Sequence, residues 1–253
     1  MQTQYDVNYK QYSGKSTAYL HSSVHAQGIE FKKMQDIVTQ YELNNILDLG
    51  CGSGHVTYHL APFAEKITAY DLIPEMVDIV EKQSNERGLN NVFTQLGVAE
   101  NLPFDDQKFD CIISRYSAHH WQDIRQAIKE IKRVLQPKGK LIIFDVIGNS
   151  NPILDTFLQT IEIIRDPSHV RDYSLEEWIS FAEYAGFKAE IIETQQLKLN
   201  FQDWVKRMNT PLEAVATIRY LQNHVSQQVK DFYELEKDGS FTIKTALILL
   251  TKI

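Results

Sequence analysis

The chain has 253 residues, 43% of them apolar, and a formal charge of −7. That length suits one large domain or a core with a cap, and the acidic balance argues against nucleic acid as a partner. No apolar leader core or membrane-length run is visible, and Cys51 and Cys111 are too few for a disulfide framework or a metal set, so a cytoplasmic protein without a bound metal is expected.

Residues 1–27 are rich in tyrosine, serine and glutamine and lack a clear period. They read either as a partly ordered N-terminal arm or as a lid that carries His25 and aromatic groups to a site. Residues 28–253 read as one domain. Gly28 to Tyr41 has the spacing of an amphipathic helix, with Ile29, Phe31, Met34, Ile37 and Val38 on one broad face.

Ile46, Leu47 and Leu49 form an apolar run interrupted by the carboxylate of Asp48. Gly50, Gly52 and Gly54 follow at alternate positions, and a helical pattern begins with Val56 and Leu60. A buried strand, a glycine turn and a helix start make the first half of a mononucleotide-binding unit. The spacing is G-x-G-x-G rather than the G-x-G-x-x-G of dinucleotide sites, and no Lys-Ser/Thr pair follows. This argues against both a nicotinamide-dependent oxidoreductase and a P-loop.

Lys66 to Tyr70 is the second strand, with Asp71 at its end. An acid about twenty residues beyond the glycines, at that strand end, accepts hydrogen bonds from ribose hydroxyls. Leu72 is then placed to pack on adenine. Pro74 opens a helix with Met76, Val77 and Val80 inward, closed by Gly88. Asn91–Leu96 and Phe109–Ser114 are the third and fourth strands, Gln122–Leu135 an amphipathic helix, and Lys140–Ile147 the fifth strand.

Pro152 opens a helix that ends in the polar run Arg165 to Arg171. Ser174 and Glu177 form a capping-box signature for a helix that stops at Gly186. Phe187 begins a sixth strand running to Thr194 or on to Leu199. Thr210 and Glu213 read as a second capping box, starting a long helix to about Tyr233. Asp238-Gly239 turns into a last strand, Phe241 to Thr251.

The glycine stretch resembles motif I of the class I S-adenosylmethionine-dependent methyltransferases. Four further segments follow it in order: Ala99-Glu100-x-Leu-Pro-Phe, Phe109-Asp110, Tyr116-Ser-Ala-His119-His120, and Arg133-Val-Leu-x-Pro-x-Gly139. The set is similar to the type 11 group, related to the ubiquinone/menaquinone C-methyltransferases. Arg165-Asp-Pro-Ser-His-Val-Arg171 resembles a narrower bacterial subfamily of uncharacterised methyltransferases.

The resemblance implies a Rossmann-like α/β fold: a seven-stranded, mostly parallel sheet with the last strand antiparallel, and helices on both faces. Connections at 148–173 and 200–239 would leave the strand ends as a helical cap over the pocket, or else form a homodimer interface. It also implies S-adenosylmethionine as cofactor, with S-adenosylhomocysteine as product. Implied contacts come from Asp48, Gly50, Cys51, Gly52 and Gly54, then from Asp71, Leu72 and Met76. Ala99, Glu100, Ser114 and Arg115 complete that set. Many relatives carry Asp at the position of Val98, so adenine recognition here would rest on the Ala99 backbone N–H and on packing.

Methyl transfer from a sulfonium needs alignment and a dry pocket, and a base only where the acceptor keeps its proton. His119 and His120 are the candidates. His25, Arg165, His169 and Arg171 are candidate substrate contacts, with an ion-pair network to Asp166 and Asp172 as the alternative for the arginines. The expected activity is methylation of a small-molecule acceptor by in-line displacement. The alternative is a catalytically silent S-adenosylmethionine-binding or interaction protein.

Overall fold

The computed structural model describes residues 2–16, 20 and 28–253. Seven strands form one sheet: β1 (Asn45–Leu49), β2 (Lys66–Asp71), β3 (Val92–Leu96), β4 (Phe109–Arg115), β5 (Leu135–Val146), β6 (Phe187–Leu199) and β7 (Phe241–Lys252). Their order is β3-β2-β1-β4-β5-β7-β6. The first five are parallel, and β7 runs antiparallel between β5 and β6. The order reverses between β1 and β4, and ligands bind outside the strand ends at such a point. The glycine turn and the segment after β4 meet there.

Ten α-helices are described: α1 (Gln4–Tyr12), α2 (Ile29–Gln40), α3 (His55–Leu60), α4 (Pro74–Glu86), α5 (Ile124–Val134), α6 (Pro152–Arg165), α7 (Leu175–Ala185), α8 (Phe201–Met208), α9 (Leu212–His224) and α10 (Gln227–Phe232). Phe31, Met34 and Val38 of α2 pack on one face of the sheet with Val56 and Leu60 of α3. Ile128, Ile131 and Val134 of α5 pack on the other with Trp178 and Ala182 of α7. A third core joins the cap to the ends of β5, β6 and β7, with Phe157, Ile161, Trp204, Ile218 and Tyr233 around Val146 and Ile243. Burying aromatic groups of this size anchors the cap: truncating Trp204 would cost about 3–5 kcal/mol.

Several local expectations need correction. Residues 4–12 are helical, capped by Thr3 and Asp6 in a reciprocal box. The box expected at Thr210 does not form, because the Thr210 hydroxyl donates to the Arg165 carbonyl and Pro211 stands at the N-cap. The long helix beyond it is two, since Val225 is extended and Ser226 caps a new start. Phe201–Met208 is a separate helix capped by Asn200. The Ser174–Glu177 box does form, and β6 continues to Leu199 as an edge strand with alternating exposure.

Candidate active site

One cavity runs from the glycine turn, past the ends of β1, β2 and β4, to the cap. Gly50 and Cys51 donate their N–H groups to the Tyr70 carbonyl, which binds the turn to β2. The three glycines answer different needs. A side chain at Gly50 would collide with the Ser117 hydroxyl, so the turn and the segment after β4 interlock there. Gly52 has φ +51, and a Cβ there would meet nothing within 4 Å, so its backbone faces open cavity. Gly54 instead packs against Tyr58 and Val80 and does not line the cavity.

Asp48 is buried, and its Oδ2 accepts from Thr57 N–H (3.0 Å) and Thr57 hydroxyl (2.6 Å). Burial raises its carboxyl to about 7 against the opposing pull of those bonds. Asp71 accepts from Gly52 N–H at 2.8 Å and from Ile73 N–H at 2.9 Å, and burial raises its pKa as well. Its carboxylate therefore fixes the turn whose open face borders the cavity. Cys51, Leu72, Met76, Ala99 and Glu100 line the same end. Ser114 is not among the lining residues, and its buried hydroxyl has no hydrogen-bond partner among the described residues.

Past β4, Tyr116 takes φ +52 and turns the chain back over the sheet end. This brings His119 to Asp145 at the end of β5, with Nδ1 2.6 Å from Oδ1. A carboxylate can only accept, so Nδ1 carries the hydrogen and Nε2 is left for other partners. Asp145 is itself held by the N–H groups of Ala118 and Val146. Burial alone would lower the His119 pKa; the Asp145 charge and hydrogen bond, with Asp172 and Glu162 beyond, outweigh it and raise the value to about 9.

His120 has a different environment. Its Nδ1 lies 3.0 Å from the Ser168 carbonyl, which can only accept, so its Nε2 accepts from the Tyr12 hydroxyl at 2.8 Å. Burial and the neighbouring His119 charge push its pKa down. Both ring nitrogens of His120 thus hold structure together, tying α1 to the loop after α6. Asn8 strengthens the tie by donating to the His120 carbonyl, and Gln4 donates to the Ser168 carbonyl. Tyr5, Asn8 and Tyr12 thereby become cavity wall.

From the cap, Glu162, Arg165, Asp166, His169 and Asp172 reach the cavity. Arg165 pairs with Glu162 at 3.2 Å and lies over the Trp204 ring. His169 donates Nε2–H to Gln159, and burial drives its pKa down. Arg171 lies outside the cavity, paired with Asp155 and Glu177. Arg115 reaches the cavity wall but is buried in an ion pair with Glu30 at 2.7 Å. The arginines are indeed in ion pairs, with Glu30, Glu162, Asp155 and Glu177 as partners rather than Asp166 and Asp172. His25 lies outside the described residues.

The sequence did not single out Asp145, and it offered Tyr12 and Trp204 only among the aromatic groups of the arm and the cap. The one available signal was for Asp145: a carboxylate near the end of an otherwise apolar strand, as at Asp48 and Asp71.

A family profile described as a methyltransferase domain matches residues 47–143. The Bacillus subtilis protein YcgJ, named an uncharacterized methyltransferase, is 33% identical over 96% of this chain and 98% of its own. Its crystal structure superposes with a TM-score of 0.83, covering 88% of this chain and 97% of that one. The Escherichia coli protein YafE is 42% identical over 76% of this chain and 93% of its own. A Bacillus halodurans protein solved as a candidate methyltransferase has a TM-score of 0.85 at 28% identity, over 89% of this chain and 99% of that one.

Proposed function

Because the chain belongs to the class I S-adenosylmethionine-dependent methyltransferases, we propose that it methylates a small-molecule acceptor and that His119 serves as general base. The carrying observation is the continuous cavity from the glycine turn to the His119–Asp145 pair, roofed by α1 and the cap. The cofactor end fits the donor: Gly52 presents open backbone, and Asp71 and Asp48 place carboxyl groups beside it. When bound, S-adenosylmethionine supplies a methyl group already activated on a sulfonium, for in-line transfer.

The chain's own contribution is then alignment, exclusion of water and proton handling. Gly50, Cys51 and Asp71 fix the turn. The cap and α1 close the acceptor end, which favours a small molecule over a macromolecule. Asp145 fixes His119 with its hydrogen on Nδ1, leaving Nε2 to receive the acceptor's proton. With its pKa raised to about 9, His119 is a strong base whose free form grows with pH. An acceptor that arrives ionised would instead meet the imidazolium. His120 is tied up on both nitrogens and supports the roof.

Two measurements test this. S-adenosylhomocysteine should raise the melting temperature, by mass action on the folded state, while NAD should not. Cell extract with methyl-labelled S-adenosylmethionine should yield a labelled small molecule with the wild type, and far less with His119→Ala. A cofactor-dependent thermal shift with no labelled product in any extract fraction would favour the catalytically silent binding protein.

A further inference from the structure

The cavity is lined by both apolar and polar side chains. Leu197, Leu199, Ile243 and Trp204 are among the apolar ones. His119, His169 and Asp172 are among the polar ones. His119 gives its Nδ1 hydrogen to Asp145, with Nε2 left over, and His169 gives its Nε2 hydrogen to Gln159. Asp172 is only 2% exposed, yet its Oδ2 has no hydrogen-bond partner among the described residues. His169 Nε2 lies 4.0 Å from it, and its hydrogen goes to Gln159.

Asp172 is held in this position. Gln159 grips its backbone at both ends, accepting from its N–H at 3.1 Å and donating to its carbonyl at 2.7 Å. Its carbonyl also lies against Gly148, where any side chain would collide with it. Leaving a buried oxygen without a partner is costly. Here that oxygen belongs to a clamped residue that lines the cavity.

We propose that Asp172 anchors the methyl acceptor through a hydroxyl group, and that the acceptor is an apolar hydroxy compound whose body lies against Leu197, Leu199, Ile243 and Trp204. This rests on the methyltransferase reading of the cavity. Burial and the Glu162 charge hold the Asp172 carboxyl well above the usual carboxylate range. A hydroxyl suits either protonation state, since it can donate to a carboxylate or accept from an acid. An ammonium group can only donate, and a protonated His119 would repel it. A divalent cation is the competing occupant, because His119, Asp145 and Asp172 offer donor atoms within 4.8 Å of one another. Both Asp145 oxygens, however, are already engaged by His119, Val146 and Ala118.

The probes are 4-ethylphenol and 4-ethylanisole, which differ by a methyl cap on the hydroxyl. Their affinities are measured by ligand-observed NMR on protein saturated with S-adenosylhomocysteine. The wild type should prefer the phenol by about tenfold. Asp172→Leu and Asp172→Ala, which remove the carboxyl with and without replacing its volume, should reduce that preference to within about twofold. Unchanged S-adenosylhomocysteine affinity reports a folded cofactor site in each variant. Equal binding of both probes to the wild type, or a preference that survives in both variants, overturns the proposal. So does tight binding of Mg²⁺ or Mn²⁺ that the variants abolish, which would make Asp172 a metal ligand. If the wild type does not bind S-adenosylhomocysteine, the underlying methyltransferase reading fails too; a cofactor complex without probe discrimination removes the hydroxyl anchor alone.

Discussion

Replacing Asp145 with Asn keeps the shape beside His119 and removes the charge. In the wild type, His119 rises from an ordinary 6.5 to about 9, because the Asp145 charge and hydrogen bond outweigh the lowering effect of burial. That rise favours the folded imidazolium by roughly 3 kcal/mol. The sign follows from linkage: a folded pKa above the unfolded one stabilises fully below about 6.5, and the contribution is lost as pH rises through about 9. In Asp145→Asn, burial is opposed only by the more distant Asp172 and Glu162 charges, so the His119 midpoint should fall well below its wild-type value. The Ala118 N–H also loses an acceptor, a penalty of about 1–3 kcal/mol that does not vary with pH. The diagnostic quantity is therefore the pH-dependent part of the stability difference between wild type and variant. It should grow as pH falls below about 9 and differ by roughly 3 kcal/mol or more between pH 6 and about pH 9.5. Long-range proton–nitrogen NMR of the histidines gives the titration and the tautomer, and urea unfolding at the two pH values gives the stability. A wild-type His119 that titrates at or below 6.5, or a midpoint unmoved by the substitution, would refute the reasoning.

Gly52→Val should weaken S-adenosylhomocysteine at least tenfold, about 1.4 kcal/mol, with the fold retained, because the side chain enters open cavity at a left-handed φ. Calorimetry that returns wild-type affinity would detach the glycine turn from the ligand. Asp71→Ala should weaken S-adenosylmethionine and adenosine alike by roughly 1.5–3 kcal/mol; adenosine binding left intact would rule out the ribose contact. Tyr12→Phe removes the hydroxyl that lies 2.8 Å from His120 Nε2 and 3.2 Å from Asp166 Oδ2. Amide exchange across Gln4–Tyr12 should then speed up by roughly 3–10-fold, as for a net hydrogen bond of about 0.5–1.5 kcal/mol. Unchanged exchange there would show that α1 is held by other contacts.

The parallel core was legible because buried strands and amphipathic helices leave different periods, and because proline and glycine mark their ends. Asp71 and the glycine turn were legible for a related reason: local backbone geometry places both. The acceptor half is built differently. His119 finds Asp145 across 26 residues of chain, and Gln159 reaches Asp172 across 13. No local pattern encodes those pairings. Helix α1 escaped notice because its only buried residue is Asn8, so it has no apolar stripe to detect. The Thr210 box looked sound in sequence, yet the Arg165 carbonyl captured the hydroxyl that would have capped. The partners of Arg165 and Arg171 were misjudged for the same reason: helix and loop geometry selected Glu162, Asp155 and Glu177 over acids adjacent in sequence.

The two coverings of the cavity differ in what holds them. The cap has an apolar core continuous with the sheet, through Trp204, Phe157 and Tyr233, and can move only by exposing it. Helix α1 has nine residues, too few to be stable alone in water. It is fastened by polar contacts to both ends of the site: Asn8 and Tyr12 to His120, Gln4 to Ser168, and Ser13 to Glu75 at the start of α4. Each such bond contributes about 0.5–1.5 kcal/mol net, and water can replace every one. Release of α1 therefore exposes little apolar surface, whereas release of the cap exposes a great deal.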